Sequence, residues 1–456
     1  MTRDRPTVDA APRTDPSSAG GDPASVDVAL APLDRTPGLW IVLVSACALG
    51  TLVWIVSIAY TVGVGIGTWG NNVPVAWAFG IINFVWWIGI GHAGTFISAF
   101  LLLLNQPWRA SIGRMAEAMT VIALAIAATF PLLHLGRPWF AHWLVPYPST
   151  MGVWPNFKSA LPWDVAAIAS YFLVSVVFFY LGLVPDLATA RDRLDGRLRR
   201  QIYGVFALGW NSAGRQWRRR RAALKMIAAV AAMLVVSVHS IVSLDFSIAQ
   251  VSGWHSTLFP PYFVIGAIYS GLAMVLALAV PIRRAYRLER IMTLDDLERL
   301  STLLLTVGLL LAYCYVVELF LSSQSSDPRE RAIHLVHWPF GPYARMYWTM
   351  LALNVGAPQL FWSRRLRRNT TALFGASIAI LIGMWLERFV IVVSSLSRDG
   401  LPAHWHDYAP TWVDAGLLLG SLSVFGLCFL LFLRFVPPVA LSELRRDRFE
   451  HTERHA

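Results

Sequence analysis

The stretch AWAFGIINFVWWIGIGHAGTFISAFLLLL, residues 76–104, contains no Asp, Glu, Lys or Arg. An apolar run of about 20 residues is enough to cross the hydrocarbon core of a bilayer as an α-helix, and this one exceeds that length. It is one of several. The chain of 456 residues is 56% hydrophobic and 14% charged, with a mean hydropathy of +0.53, which is more apolar surface than a soluble fold of this size buries. Ten such runs are counted, near 39–61, 76–104, 115–135, 163–185, 222–246, 260–282, 299–322, 343–363, 370–394 and 410–433. The expected fold is therefore an all-α integral membrane domain of ten transmembrane helices over residues 39–435. A tail, 1–38, precedes it and a second tail, 436–456, follows. The first tail is rich in Pro, Asp, Ala and Ser, does not resemble a cleavable signal and is expected to be disordered.

The charge pattern supports the count. A formal charge of +11 invites a nucleic-acid reading, but the basic residues sit in short clusters between apolar runs, as in the loops of a membrane protein. When loops are assigned alternately to two sides, 31 of the 38 Lys and Arg fall on the side holding both termini and 6 on the other, while Arg388 lies inside a span. By the positive-inside rule both termini are cytoplasmic. The most basic segment, Arg191 to Lys225, carries the block Arg218 to Arg221 and reads as a topology anchor against anionic lipid. Cys47, Cys314 and Cys428 each stand alone in an apolar run, so no disulfide or thiol cluster can be drawn. Any redox centre is then organic or belongs to a partner.

The outer loops are poor in charge and rich in aromatic residues. Between the third and fourth spans the chain reads HLGRPWFAHWLVPYPSTMGVWPNFKSALPWD, residues 134–164. Trp139, Phe140, Trp143, Tyr147, Trp154, Phe157 and Trp163 punctuate it. Such a segment lies in the membrane interface, either as an aromatic belt or as a lid over a hydrophobic ligand.

Ionisable residues inside spans are costly, about 2.5 kcal/mol or more each on the lenient insertion scales, and face one another or a wet cavity. Six acids qualify: Glu117, Asp164, Asp245, Glu318, Glu387 and Asp414. All but Glu117 fall in the outer half when depth is counted at about 1.5 Å per residue. His134, His239 and Arg388 share that level. Quinol oxidation needs acceptors for two protons beside an apolar slot for the ring and tail. His134 and Asp164, flanking the aromatic loop, are the first candidates. Asp245 closes the fifth span six positions after His239, about 240° around the helix, so those two do not share a face. Haem is the rival, because His92 in the second span is close in depth to His239. Two stacked haems would need a second pair, and His134 has no span partner. The simpler reading of His92 is a histidine bonded within the bundle, where Gly91 and Gly94 allow close helix approach.

The residues NFVWWIGIGHAGTFISAFLLLLNQPWRASIGRMAEAMT (83–120) and FPLLHLGRPW (130–139) resemble the NrfD/PsrC family of quinone-interacting membrane subunits, and within it the ActC-type subunits of alternative complex III. The resemblance implies two four-helix bundles plus two additional helices, with quinone, menaquinone or ubiquinone, as substrate and no haem or metal bound by the subunit. It implies a quinone pocket in the outer half of the first bundle, at His134 in LLHLGRPW, Asp164 in LPWD and Asp245 in SLDFS, with Trp139 beside them. A proton pathway would run through His239, Glu318, Glu387 and Arg388. The implied partners are a periplasmic iron–sulfur subunit resembling a molybdopterin enzyme, multihaem and monohaem c-type cytochromes, and a second NrfD-like membrane subunit. The implied location is the bacterial inner membrane.

The expected function is quinol oxidation with electrons passed to the iron–sulfur partner. The same family also anchors polysulfide- and tetrathionate-type reductases, and the direction of electron flow is set by partners that the sequence does not contain. An ion-coupled transporter would accommodate ten spans and buried carboxylates, but no paired broken spans occur in two halves, and the polar layer lies near one surface where a midplane site would be expected. A purely structural anchor leaves the acid layer without purpose.

Overall fold

The computed structural model describes residues 37–144 and 160–443, with Leu30 and Leu33. Most of the tail expected to be disordered, the aromatic loop from 145 to 159 with Tyr147, Trp154 and Phe157, and residues 444–456 lie outside the described residues. Among the described residues nine helices are long and apolar enough to cross a membrane. They are α1 (Gly38–Val64), α2 (Ala78–Leu103), α3 (Arg109–Ala127, continued by Thr129–His134), α4 (Ala160–Arg193), α5 (Gly214–Ser247), α6 (Phe259–Ala285), α7 (Leu294–Gln324), α8 (Thr370–Phe389) and α9 (Trp412–Phe435). The protein is a multi-span membrane protein.

The apolar run at 343–363, expected as one regular helix, is not among these nine. It is helical throughout but irregular: α-helical over Ala344–Leu351, π-helical over Ala352–Gly356 and 3-10 over Ala357–Trp362. Pro358 has no N–H to offer the preceding turn, which disfavours regular α geometry here. The widened turn presents buried Asn354, whose carbonyl accepts from Tyr269 Oη at 2.9 Å and whose amide donates to Tyr315 Oη at 2.8 Å. Wide turns of this kind recur at functional sites.

Two four-membered rings of helices result. α2, α3, α4 and α5 close the first; α6, α7, the run Ala344–Trp362 and α8 close the second; α2 packs on α6, and the pair α1 and α9 leans on α3. Gly94 shows how tightly α2 and α3 cross, since a Cβ there would fall 2.2 Å from the Ala116 carbonyl oxygen. With no aqueous exclusion between helices in lipid, such close backbone approach is what packs them. α1 and α9 are antiparallel: the Trp40 indole donates to the Leu430 carbonyl at 3.1 Å, so the first helix begins where the last one ends.

That end of the first bundle is closed by buried charge. Glu117 receives Arg109 and Arg114 at 2.9 Å each, and Arg114 also reaches Asp186 at 2.7 Å. Residues 436–443, expected as the start of a tail, turn back instead. The Ala440 amide donates to the Ala110 carbonyl at 3.2 Å, the Ser442 amide to Asp186 at 3.0 Å, and Glu443 pairs with Arg109. Burial alone would raise the Glu443 carboxyl, but Arg109, Arg114 and Arg220 outweigh it and hold it below the ordinary carboxylate range.

Candidate functional site

At the opposite end, where α2 starts and α5 finishes, lies a cavity of about 390 Å³, within the span of about 300–1,000 Å³ common for small-molecule sites. Its walls are apolar and aromatic, with Trp77, Ile81, Phe246, Trp254 and Leu396 prominent, and Asp245 is the one ionisable side chain among the described lining residues. Behind Asp245 stands Asp164, buried near the start of α4 and within interaction range of it. A hydrogen bond between two carboxyl groups requires one of them to carry a proton. Each aspartate retains one buried oxygen, Oδ1, with no hydrogen-bond partner.

His134 joins this site through Trp77. Its imidazole stacks on the Trp77 ring, with centroids 5.6 Å apart, and is enclosed from other sides by Trp69 and Phe84. Its Nε2 is buried, and the Gly80 backbone is the polar group set against the imidazole. Gly80 makes room for it, because a Cβ there would lie 3.1 Å from that nitrogen and 2.5 Å from the Trp69 ring. Trp77 and Ala78 have φ of 58° and 28°, left-handed values that L-residues adopt at a cost. The Ala78 amide bonds the Ala76 carbonyl at 2.7 Å to hold this turn, so a strained wall separates His134 from the cavity. Trp139 is placed elsewhere: it is 62% exposed and its ring contacts Phe140.

The remaining members of the polar layer divide into groups. His239, on the other face of α5 from Asp245, meets His92: their Nδ1 atoms are 2.8 Å apart. That is the bundle-internal bond expected for His92. Arg388 pairs with Glu387 at 2.9 Å and stacks on Phe263, 4.1 Å from its centroid; Tyr315 donates to Glu387. The Phe263 ring is also 6.2 Å from that of His239, so an aromatic ring stands between the histidine pair and the arginine. Glu318 and Glu387 both line a second, smaller cavity of about 40 Å³ in the second bundle. Asp414 caps α9, accepting from the Thr411 amide at 2.8 Å, and Glu117 belongs to the ion network at the far end. Trp77, Trp254 and Tyr315 escape a sequence reading, because a tryptophan or tyrosine near a span end looks like any other interfacial aromatic.

Comparison with known proteins places the chain in a family. The family model described as polysulphide reductase, NrfD, matches residues 67–398. The chain belongs to the NrfD family. Among relatives of this NrfD-family chain, a putative membrane subunit of dimethyl sulfoxide reductase from Halobacterium salinarum is 24% identical over 424 residues, covering 84% of this chain and 91% of the relative. A selenate reductase subunit from Mesobacillus selenatarsenatis is 22% identical over 381 residues, covering 79% and 86%. The segment matched by the family model includes both bundles and every residue of the cavity wall, whereas the flanking pair α1 and α9 falls outside it.

Proposed function

We propose that this NrfD-family chain is the quinol-oxidising membrane subunit of a respiratory complex, with the quinol ring in the cavity bounded by Trp77, Asp245 and Trp254. The observation that carries the reading is the placement of the Asp164–Asp245 pair, two neighbouring carboxyl groups at the edge of an apolar, ring-sized cavity. Oxidation of a quinol releases two protons and two electrons. In this reading the aspartate pair takes up one of the protons, and the His134 imidazole takes the other once the Trp77 wall moves. The electrons leave to an iron–sulfur subunit docked over the same end. The protons move on through the second bundle by way of Glu387, Arg388 and Glu318, with His239 and His92 on its inner flank.

The complex is of one of two kinds. The motifs around His92 and His134 favour an ActC-type subunit of alternative complex III, with c-type cytochromes and a second NrfD-like subunit as partners. The dimethyl sulfoxide and selenate reductase relatives favour a molybdoenzyme-type reductase, whose catalytic and iron–sulfur subunits would be the partners. Co-purified subunits distinguish them, since only the first arrangement calls for haem c.

The site itself is tested by quinol-driven reduction of the partner in Asp164→Asn and Asp245→Asn complexes of equal subunit content. Each amide keeps the shape and removes the titration, and each is expected to slow turnover by about 10² to 10⁴. Asp414→Asn, which removes a helix-capping charge at similar depth, is the control and is expected to keep turnover. Wild-type rates in both cavity variants would remove the carboxyl pair from the mechanism.

A further inference from the structure

Outside the quinol cavity, three donors meet at the same end of the second bundle. Glu318 is on the last turns of α7, and Glu330 and His334 follow on the short helix Pro328–Ala332 and the π-turn Ile333–His337. One donor atom from each lies within 4.8 Å of the other two. All three are withdrawn from solvent, with side-chain exposures of 11%, 14% and 2%.

The hydrogen bonding around them is that of a ligand set. His334 Nδ1 lies 3.1 Å from the Glu330 backbone carbonyl and 3.2 Å from Glu330 Oε1. The carbonyl can only accept, so Nδ1 carries the proton, and in the neutral imidazole Nε2 then presents a lone pair. That Nε2 is buried with no hydrogen-bond partner, and it faces Glu318 Oε1, a second lone-pair atom, at 3.5 Å. Two tetrahedral ligands at about 2.1 Å from one zinc-like ion stand at about this separation. Both carboxylates are steadied from behind. Glu318 Oε2 accepts from Ser256 Oγ at 3.0 Å, and Glu330 Oε2 accepts from the Gly253 amide at 2.7 Å. Outer hydrogen bonds of this kind orient metal ligands, and a backbone carbonyl is the usual partner of a ligating imidazole's second nitrogen. The smaller cavity, lined by Glu318 and His334, holds about 40 Å³, room for a water in a remaining coordination position.

We propose that Glu318, Glu330 and His334 bind a divalent cation of the zinc type, coordinated through His334 Nε2 and Glu318 Oε1, with the Glu330 carboxylate, which stands on the Nδ1 side of the ring in the metal-free chain, turning one oxygen in to complete the set. Two negative carboxylates with one imidazole match a dication in charge, and the mixed nitrogen and oxygen set suits a transition metal over magnesium or calcium. The ion ties α7 to the 328–337 segment and, through Ser256 and Gly253, to the loop after α5. It also occupies Glu318, one of the carboxylates assigned above to proton movement, so the metal-loaded form holds that residue out of proton exchange. The expectation of a subunit without metal rests on the family resemblance, the lack of thiol clusters and the lack of two depth-matched histidine pairs, and a mixed set of two glutamates and one histidine lies outside that reasoning.

The test uses the full-length chain in detergent, stripped with a chelator and titrated separately with Zn²⁺, Co²⁺ and Mg²⁺. One Zn²⁺ or Co²⁺ per chain is expected, with the intense visible absorption of low-coordinate cobalt and no displacement by excess Mg²⁺. His334→Ala and Glu330→Gln are expected to lose that ion and the absorption, and Ser256→Ala to weaken binding about 10- to 100-fold at unchanged stoichiometry. Should the ligand variants fail to fold, the wild-type cobalt spectrum and the Ser256→Ala affinity still decide. Stoichiometric absence of uptake by the wild type, as for an imidazolium simply clasped by two glutamates, overturns the proposal; so does equal uptake by folded His334→Ala.

Discussion

His92 and His239 share one hydrogen bond between their Nδ1 atoms, 2.8 Å apart and fully buried where α2 meets α5. One ring donates and the other accepts, so each depends on its partner. His239→Ala is expected to leave a buried nitrogen unpaired, at about 1–3 kcal/mol. His92→Ala should cost a similar amount. Because the bond is lost only once, the double variant should cost less than the sum. Thermal unfolding of the purified variants measures this, and strictly additive losses would show that the rings do not act as a pair.

Gly80 holds open the space that His134 and Trp69 occupy. Gly80→Ala places a Cβ 2.5 Å from the Trp69 ring, so Trp69 or His134 must shift. The expected result is a membrane-inserted protein with quinol turnover reduced about tenfold or more, from a misplaced proton acceptor. Unchanged turnover would mean that the position of His134 is immaterial to the reaction.

Glu443 links the chain after α9 to Arg109, and its carboxyl is held below its ordinary value of 4.5, since the arginines outweigh the burial. A carboxyl whose folded value is depressed contributes stability that is present above its unfolded value and lost as pH falls through the folded one. Glu443→Gln should therefore lower the unfolding temperature at pH 7 and lose less than the wild type as the pH falls below about 5. Parallel stability curves for the two proteins over that range would disprove the linkage.

The antiparallel pairing of α1 and α9 places the start of the first helix beside the end of the last, and from the distribution of Lys and Arg that end is expected in the cytoplasm. A reporter fused after Ala456 is expected to be active only as a cytoplasmic reporter. Phosphatase activity of a periplasmic type from that fusion would reverse the orientation. Because nine regular helices alone would separate the termini, the same experiment asks whether the irregular run Ala344–Trp362 serves as a tenth crossing.

Much is legible in the linear sequence. Long uncharged runs require helices in lipid, since only a helix satisfies its own backbone hydrogen bonds there, and the stretch around His92 and His134 carries the family. The level of the polar layer is also legible, because depth follows from distance along a helix. Rotation and partnership are not. Asp164 and Asp414 each stand near the start of a span, yet one stands against Asp245 beside a cavity and the other caps its own helix. Helical angle alone turns His239 away from Asp245, but its bond to His92 depends on how α2 and α5 cross. Glu330 and His334 lie between spans, in a segment whose sequence has no periodicity to read, and they meet Glu318 only because the 328–337 segment folds back onto α7. Hydropathy and charge act along the chain and determine which segments cross the membrane. Side-chain pairing is decided by contacts between helices distant in sequence, so the aspartate pair, the Trp77 wall and the Glu318–Glu330–His334 cluster arise only from tertiary packing.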